Sequence, residues 1–222
     1  MKMKYYLQMS LFRTLCFNFR YLPFSQAVLL PVILFRGTVL RRMKGKLILP
    51  EKIKHGMIKI GRADVAGWEK RGTAVSIDGE LVFKGKATFG SGSALEVKKG
   101  AVLTIGEKFR VTAGASIFCH KKITFGQGCM LSWDTLVMDS DHHEIYDPGT
   151  GAVLNGDSPV MLGDHVWIGC RSTLLKGTAI GDNCVVAAGS ILTKSFENER
   201  NSVIGGSGKD QRVLRSGIAW KE

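Results

Sequence analysis

Proline is scarce in this chain of 222 residues, which has 5 prolines and 27 glycines. Low-complexity disorder is usually rich in both, whereas glycine without proline is typical of many tight corners. A hydrophobic share of 45% allows a sizeable core. The composition therefore predicts one large domain, or one domain with an extension.

No CxxC pair occurs among the five cysteines, and their number is odd. Four of them lie in repetitive sequence, where a small apolar side chain packs well: Cys119, Cys129, Cys170 and Cys184. We expect structural thiols in a reducing compartment.

Long hydrophobic runs are also missing. The apolar run from Ala27 to Phe35 contains Pro31 and is far shorter than the about 20 residues of a membrane span. A signal peptide is not expected, because Arg13 and Arg20 interrupt the segment that would have to be apolar. The sequence predicts a cytoplasmic protein.

Acidic residues are nearly absent from the first quarter. Residues 1–60 contain 12 Lys and Arg but only Glu51 as an acid, a net charge of +11. The rest of the chain has 19 basic and 18 acidic residues, so it is nearly neutral. This neutral body and the lack of a recognition motif disfavour a nucleic-acid-binding protein.

The basic quarter also carries many aromatic and aliphatic residues, among them Tyr5, Leu11, Phe12, Leu15 and Phe19. This mixture suits a segment on an anionic membrane surface. It equally suits a helix that caps the core and presents its cations to water, because an amphipathic pattern does not reveal what its apolar face contacts. Residues 1–55 are predicted to be a basic amphipathic extension, with both alternatives open.

A six-residue period marks the C-terminal half. Aliphatic residues recur at every sixth position: Leu162, Ile168, Leu174, Ile180, Val186 and Leu192. Because six is even, these side chains face one side of an extended chain, and the period does not fit a helical stripe. Short strands separated by glycine corners, each with an inward aliphatic residue, form a β-solenoid.

The same step appears upstream in two runs offset by two residues: Ile105, Val111, Ile117 and Ile123, then Phe125, Leu131 and Val137. The offset predicts a small insertion at a corner near Cys119 to Lys122. The period then breaks until Leu162, and this gap contains Asp139-Ser-Asp-His-His-Glu144. A solenoid interrupted by a polar loop usually builds a site there, so residues 138–160 are the predicted active-site loop.

Several strings resemble the hexapeptide-repeat acetyltransferases: Leu162-Gly-Asp-His-Val-Trp-Ile-Gly169, Leu174-Leu-Lys-Gly-Thr-Ala-Ile-Gly181 and Val186-Ala-Ala-Gly-Ser-Ile-Leu-Thr-Lys194. Two others, Leu131-Ser-Trp-Asp134 and Met138-Asp-Ser-Asp-His-His143, resemble the branch that O-acetylates capsular and other surface polysaccharides. The resemblance implies an all-β fold, a left-handed parallel β-helix over residues 56–205, with a tail at 206–222. It also implies a homotrimer that transfers acetyl from acetyl-CoA to a sugar hydroxyl without a metal.

A sugar hydroxyl is a weak acid, so a positioned base must take its proton, and histidine suits this task near neutral pH. The resemblance assigns the base to the histidine that ends Asp-x-Asp-x-His, here His143. Neighbours in an extended stretch point to opposite sides, so His142 is expected to face away. Asp139 and Asp141 could share the side of His143 and hold its imidazole, or they could make ordinary Asx turns.

Trp167 precedes the inward Ile168, so its indole should face outward, where it suits a pantetheine or acyl channel. The resemblance assigns this face to CoA and implies contacts to Gly169 and Ala188. The CoA phosphates could meet Lys194, Arg212 and Arg215, although a solvated charged tail is an equal alternative.

The acceptor side is expected at Leu131-Ser-Trp-Asp134, with Ser132 as a donor to the oxyanion and with Trp133 and Asp134 beside it. The relatives usually read Gly-x-Pro-Ala-Lys near the C-terminus, whereas this chain reads Gly206-Ser-Gly-Lys-Asp210. The placement of the tail is therefore open.

Three other functions compete. A carbonic anhydrase-like metalloenzyme needs three well-spaced zinc histidines, which the spacing of the histidines here does not provide convincingly. A non-catalytic scaffold would not need an intact Asp-x-Asp-x-His. A transferase for an amino sugar or another small acceptor stays open, because the sequence does not identify the acceptor or a strict acetyl donor.

Overall fold

The computed structural model describes residues 8–68 and 70–221, so the first residues of the predicted extension, Tyr5 among them, lie outside the described part. Helices α1 (Leu11–Tyr21) and α2 (Phe24–Ala27) precede 23 strands in this part of the chain, and a 3₁₀ turn spans Gly208–Asp210. The strands form three sheets in which each strand from β1 to β19 pairs in parallel with the strand three places later, and β23 is antiparallel to β22.

The first sheet contains β1 (Val32–Leu34), β4 (Ile58–Arg62), β7 (Ala87–Gly90), β10 (Phe109–Val111), β13 (Met130–Leu131), β16 (Trp167–Ile168), β19 (Val185–Val186), β22 (Ser202–Gly205) and β23 (Arg212–Ser216). The second contains β2 (Thr38–Met43), β5 (Thr73–Ile77), β8 (Ala94–Val97), β11 (Ser116–Cys119), β14 (Leu136–Met138), β17 (Thr173–Leu174) and β20 (Ile191–Leu192). The third contains β3 (Lys46–Ile48), β6 (Glu80–Phe83), β9 (Val102–Ile105), β12 (Lys122–Phe125), β15 (Val160–Leu162), β18 (Ala179–Ile180) and β21 (Ser195–Phe196).

The length of a coil changes along the chain. Trp167 pairs with Val185, so this coil consists of three segments of six residues, each made of one strand and one turn. Further upstream Arg110 pairs with Met130, which makes that coil longer by two positions. The six-residue step is therefore strict only near the C-terminal end, and the two offset runs of the sequence meet on β12, where Ile123 and Phe125 both point inward.

The core lies inside the coils. Every predicted inward residue from Leu162 to Leu192 is buried. A ladder of aromatic rings runs along the axis through Phe83, Phe89, Phe109 and Phe125, with centroids 6.2, 5.4 and 4.9 Å apart. The predicted fold, a left-handed parallel β-helix, is confirmed.

The β-helix begins before the predicted boundary at residue 56. Strands β1 to β3 form its first coil within residues 32–48. The connections there are long, since Val32 pairs with Ile58, well beyond the position that three six-residue edges would reach. Such connections hide the six-residue step from the sequence.

Helix α1 covers the edge of β1 with two buried polar side chains. Asn18 Nδ2 donates to the Val32 carbonyl at 2.7 Å, and Asn18 Oδ1 accepts from the Val32 N–H at 3.1 Å. Thr14 Oγ1 accepts from the Leu34 N–H at 3.0 Å. Helix α1 of the predicted extension therefore caps the first coil, whose strands lie within the same extension. Within residues 8–68 and 70–221, no helix is long and apolar enough to cross a bilayer.

Candidate active site

The break in the period is a loop, residues 139–159, between β14 and β15. It makes its coil about twice as long as the next one, because Met130 pairs with Trp167, whereas Trp167 pairs with Val185. An antiparallel bridge between Tyr146 and Val153 forms the tip of the loop.

Asn155 holds the base of this loop. Asn155 Nδ2 donates to Asp141 Oδ2 and to the His143 carbonyl, both at 2.8 Å. The amide therefore joins the outgoing and the returning segments of the loop.

A polar pocket of about 240 Å³ lies under this loop. Three of the five histidines line it, His120, His142 and His143, together with Ser140, Glu144, Val153, Asn155, Gly156 and Asp157. The loop therefore concentrates imidazoles at one open pocket.

The His142 ring is held against its neighbours. Its centroid lies 4.1 Å from that of His120 in an edge-on arrangement, and 5.8 Å from the ring of Phe118. The residue has φ +64°, and its N–H donates to Ser140 Oγ at 3.1 Å. A non-glycine residue in this region persists only where its surroundings hold it, and the turn brings both His142 and His143 to the pocket. The expectation that only one of them faces the cleft is wrong.

His120 is a pocket residue that the sequence did not indicate as functional. Burial lowers the pKa of His120, and positive charge on His142 and Lys98 lowers it further. Its buried Nε2 makes no hydrogen bond to any described residue and lies 3.8 Å from Glu96 Oε1. The surroundings of His120 therefore disfavour its charged form.

His143 is exposed at the pocket. Its backbone carbonyl accepts from Asn155, but among the described residues its imidazole makes no hydrogen bond. Both ring nitrogens are thus open to a substrate.

Of the two alternatives for Asp139, the one in which it holds the His143 imidazole is wrong, because its carboxylate binds elsewhere. Its buried carboxylate points into the corner between β11 and β12, where it accepts the N–H groups of His120, Lys121 and Lys122 at 2.7, 2.9 and 2.6 Å. Asp139 follows the inward Val137 by two positions, so strand alternation turns it inward. Its role is to hold the corner on which the loop begins.

The Asp141 carboxylate likewise binds side chains other than that of His143. Lys176 Nζ donates to Asp141 Oδ2 at 2.6 Å, and this bond, with that from Asn155, holds the pKa of Asp141 below its usual value. Lys176 also donates to the Asn155 carbonyl. The carboxylate therefore ties the loop to the coil above it.

Trp167 lies on the first sheet, and its indole faces outward as predicted. Its Nε1–H donates to Ser132 Oγ at 2.9 Å, across the coil boundary. Since a hydroxyl can accept one bond and donate another, Ser132 keeps its own proton for a further acceptor.

Trp220 is an aromatic partner that sequence reasoning missed. Its ring stacks on His165 at 3.9 Å between centroids with 2° between the planes, and its Nε1–H donates to the His165 carbonyl at 3.0 Å. It also lies 5.8 Å from the Trp167 ring. The C-terminal tail thus returns to the first sheet and forms, with Ser132, His165 and Trp167, a surface that we call the indole face.

Trp133 and Asp134 form the corner at the start of β14, whereas the loop leaves from the end of that strand. Trp133 is 43% exposed, and Asp134 Oδ1 lies 3.9 Å from Arg71 Nη1. These predicted acceptor residues therefore lie apart from the histidine pocket of the same chain.

The other predicted CoA residues differ in what they contact. Gly169 serves coil packing, because a Cβ there would lie 2.6 Å from the Val186 carbonyl oxygen. Ala188 is exposed, and Lys194 Nζ donates to the Lys209 carbonyl at 3.3 Å. Arg212 and Arg215 are exposed on β23.

The cysteines are free, and three of them are buried. Burial raises the pKa of Cys119 and Cys129 to about 12, so both thiols stay protonated and are poor nucleophiles. In residues 8–68 and 70–221, no three His, Cys, Asp or Glu side chains cluster as metal ligands would.

Comparisons with other proteins agree with the repeat. A model of the hexapeptide repeat of succinyl-transferase matches residues 159–194. The polysialic acid O-acetyltransferase of Escherichia coli O1:K1 / APEC is 28% identical over 123 residues, 55% of this chain and 39% of that protein. The protein of the same name from Neisseria meningitidis is 33% identical over 100 residues, 45% of this chain and 37% of that protein. The matches thus span less than half the length of these two relatives.

A solved structure shares the fold. The crystal structure of the polySia specific acetyltransferase NeuO superposes with a TM-score of 0.56 at 18% identity, over 84% of this chain and 89% of that chain. The resemblance to hexapeptide-repeat acetyltransferases, and to polysaccharide O-acetyltransferases among them, is confirmed.

Proposed function

We propose that this chain is an O-acetyltransferase that moves an acetyl group from acetyl-CoA to a hydroxyl of a surface polysaccharide or its precursor. The observation that carries the proposal is the histidine-lined pocket under a loop that interrupts a β-helix similar to that of polysaccharide O-acetyltransferases. The pocket is smaller than the about 300–1,000 Å³ typical of drug-sized ligands, which suits a single sugar unit of a longer chain.

His143 is the proposed general base. It accepts the proton of the acceptor hydroxyl as the oxygen bonds to the acetyl carbon, and it returns that proton to the thiolate sulfur as the thioester C–S bond breaks. His142 is less suited, because its ring packs edge-on against the rings of His120 and Phe118, with centroids 4.1 and 5.8 Å away. The His143 imidazole is free of protein bonds among the described residues and can turn to the acceptor.

The indole face is the proposed acyl-donor site. Trp167 and Trp220, whose ring centroids lie 5.8 Å apart at a tilt of 45°, offer apolar surface for pantetheine. Ser132 can donate its hydroxyl proton to the carbonyl oxygen that becomes negative during transfer. Lys194, Arg212 and Arg215 lie toward the C-terminal end and are the proposed phosphate contacts.

The enzyme is proposed to be a homotrimer. On one chain, no hydrogen bond or ring contact among the described residues links the histidine pocket to the indole face. A site that contains both is complete only if two copies meet, with His143 from one and Trp167 from the next. The free cysteines suit the reducing cytoplasm, where we place it.

The activity is tested with radiolabelled acetyl-CoA and a panel of glycans, including polysialic acid. We expect label in an alkali-labile ester, and at least about 100-fold slower labelling with His143→Ala. Label in an alkali-stable amide, or no transfer to any glycan, would contradict O-acetylation.

The shared site is tested by mixing subunits. At acetyl-CoA concentrations far below KM, where a weaker donor site lowers the rate, His143→Ala and Trp167→Ala should each be strongly impaired. Randomly mixed trimers should then regain about a quarter of wild-type activity, because one boundary in four keeps both groups. A mixture that stays inactive, or a fully active monomer in sedimentation analysis, would overturn this arrangement.

A further inference from the structure

Helix α1 presents apolar side chains to solvent. Its polar Thr14 and Asn18 are buried against β1 with Phe17. Leu11, Phe12, Leu15, Cys16 and Phe19 share another side of the helix and are all exposed. Phe12 is 76% exposed. The helix is thus attached to the core by its polar side, which leaves its apolar side uncovered.

The exposed apolar side continues into the following segment. Phe24 is 75% exposed, and its ring lies 5.9 Å from that of Phe19. We define the outer apolar face as Leu11, Phe12, Leu15, Phe19, Phe24, Val28 and Leu29, all of which are exposed. Single exposed apolar residues are ordinary, but a contiguous patch marks a contact surface.

Positive charge surrounds this face. Arg13 and Arg20 lie on α1, Arg36 follows β1, and all three are exposed. Glu51 is the one acidic residue up to position 60. A second copy is a poor partner, because two such faces would bring like charges together. An anionic bilayer offers both an apolar interior and negative headgroups.

We propose that the outer apolar face docks on an anionic membrane surface, with its aromatic rings in the headgroup region and the three arginines on lipid phosphates. Docking does not depend on the proposed acetyl transfer. It would place the pocket near glycan precursors carried by lipids.

The test is co-sedimentation of the full chain with vesicles of phosphatidylcholine alone or mixed with phosphatidylglycerol. We expect binding to the mixed vesicles only, and weaker binding as salt shortens the screening length from about 10 Å at 0.1 M to about 3 Å at 1 M. The triple change Phe12→Ser, Phe19→Ser and Phe24→Ser should weaken binding by about tenfold or more.

Two further variants sharpen the result. Arg13→Gln with Arg20→Gln should weaken binding to anionic vesicles and reduce its salt dependence. Met161→Ser with Ile191→Ser, which alters exposed apolar residues on the sheets, should leave binding unchanged. Thermal unfolding and sedimentation velocity check that each variant keeps its fold and size.

Equal binding to both kinds of vesicle, or binding to neither, would overturn the proposal. So would a triple phenylalanine variant that breaks a larger assembly without changing vesicle binding, since the face would then join copies of the chain.

Discussion

The histidine pocket and the indole face hold their side chains by different means. In the pocket, carboxylates and amides fix the backbone of the loop, while the imidazole of His143 stays open. On the indole face, the rings themselves are fixed, by stacking on His165 and by the bond to Ser132. A titratable side chain without protein partners can exchange a proton with the substrate, whereas rings that are held in place favour ligand binding. Changes in the pocket should therefore affect kcat, and changes on the indole face should affect KM for acetyl-CoA.

The largest effect is expected at His143. His143→Ala should lower kcat by about 10²–10⁴-fold without changing affinity for CoA, because only proton transfer is lost. Steady-state kinetics and calorimetric titration with CoA measure the two quantities. His142→Ala is the matched control, and its effect should be much smaller. If His142→Ala is the damaging change and His143→Ala is nearly silent, the assignment of the base is wrong.

The next effect concerns how the pocket is built. Asp139→Asn replaces a buried carboxylate that accepts three backbone N–H groups with an amide, so it should lower the free energy of unfolding by about 1–3 kcal/mol. Activity should fall because the loop is less well held, whereas the affinity for CoA should not change. Chemical denaturation and CoA titration provide the measurements. Loss of both together would mean that the two regions are not independent.

Asp141→Asn is the control for that change. The Asp141–Lys176 pair is partly exposed and screened by solvent, so its loss should cost about 0.5 kcal/mol or less. Because folding lowers the pKa of Asp141, its contribution is complete above the usual value of 3.8 and is lost as pH falls through the lower folded value. The variant should therefore differ from wild type at neutral pH and converge with it in acid.

The smallest effect on catalysis or ligand binding is expected at Trp220. Trp220→Ala removes one stacked ring from the indole face, so the Kd for CoA should rise by about 2- to 12-fold with kcat unchanged. Trp133→Ala, which alters an exposed indole at another corner, should not change the Kd. A Trp220→Ala variant with wild-type Kd would show that the ring only anchors the tail.

The two regions also differ in what their sequence reveals. The coil that carries Trp167 keeps the six-residue step on all three edges, so parity alone indicates that this side chain faces outward. The sequence also indicates that the Asp139 side chain points inward, since Asp139 follows Val137 by two positions. The prediction instead treated Asp139 as part of the loop.

Other contacts were beyond such reasoning. Lys176 meets Asp141 across 35 positions, and Trp220 meets His165 across 55. Neither separation in sequence is a multiple of the coil length, because a loop or a returning tail lies between the partners. The position of His120 next to His142 likewise depends on the path of the loop, which no short-range pattern records.

The contact of α1 with β1 has a consequence for self-association. A parallel solenoid ends in a strand with unpaired N–H and C=O groups, and such an edge can add a strand from another molecule and grow into a fibre. Asn18 occupies both the donor and the acceptor of Val32, so it blocks this addition as a final strand would, without offering a new edge. A polar side chain on a helix thus prevents a further strand from pairing with this end of the sheet.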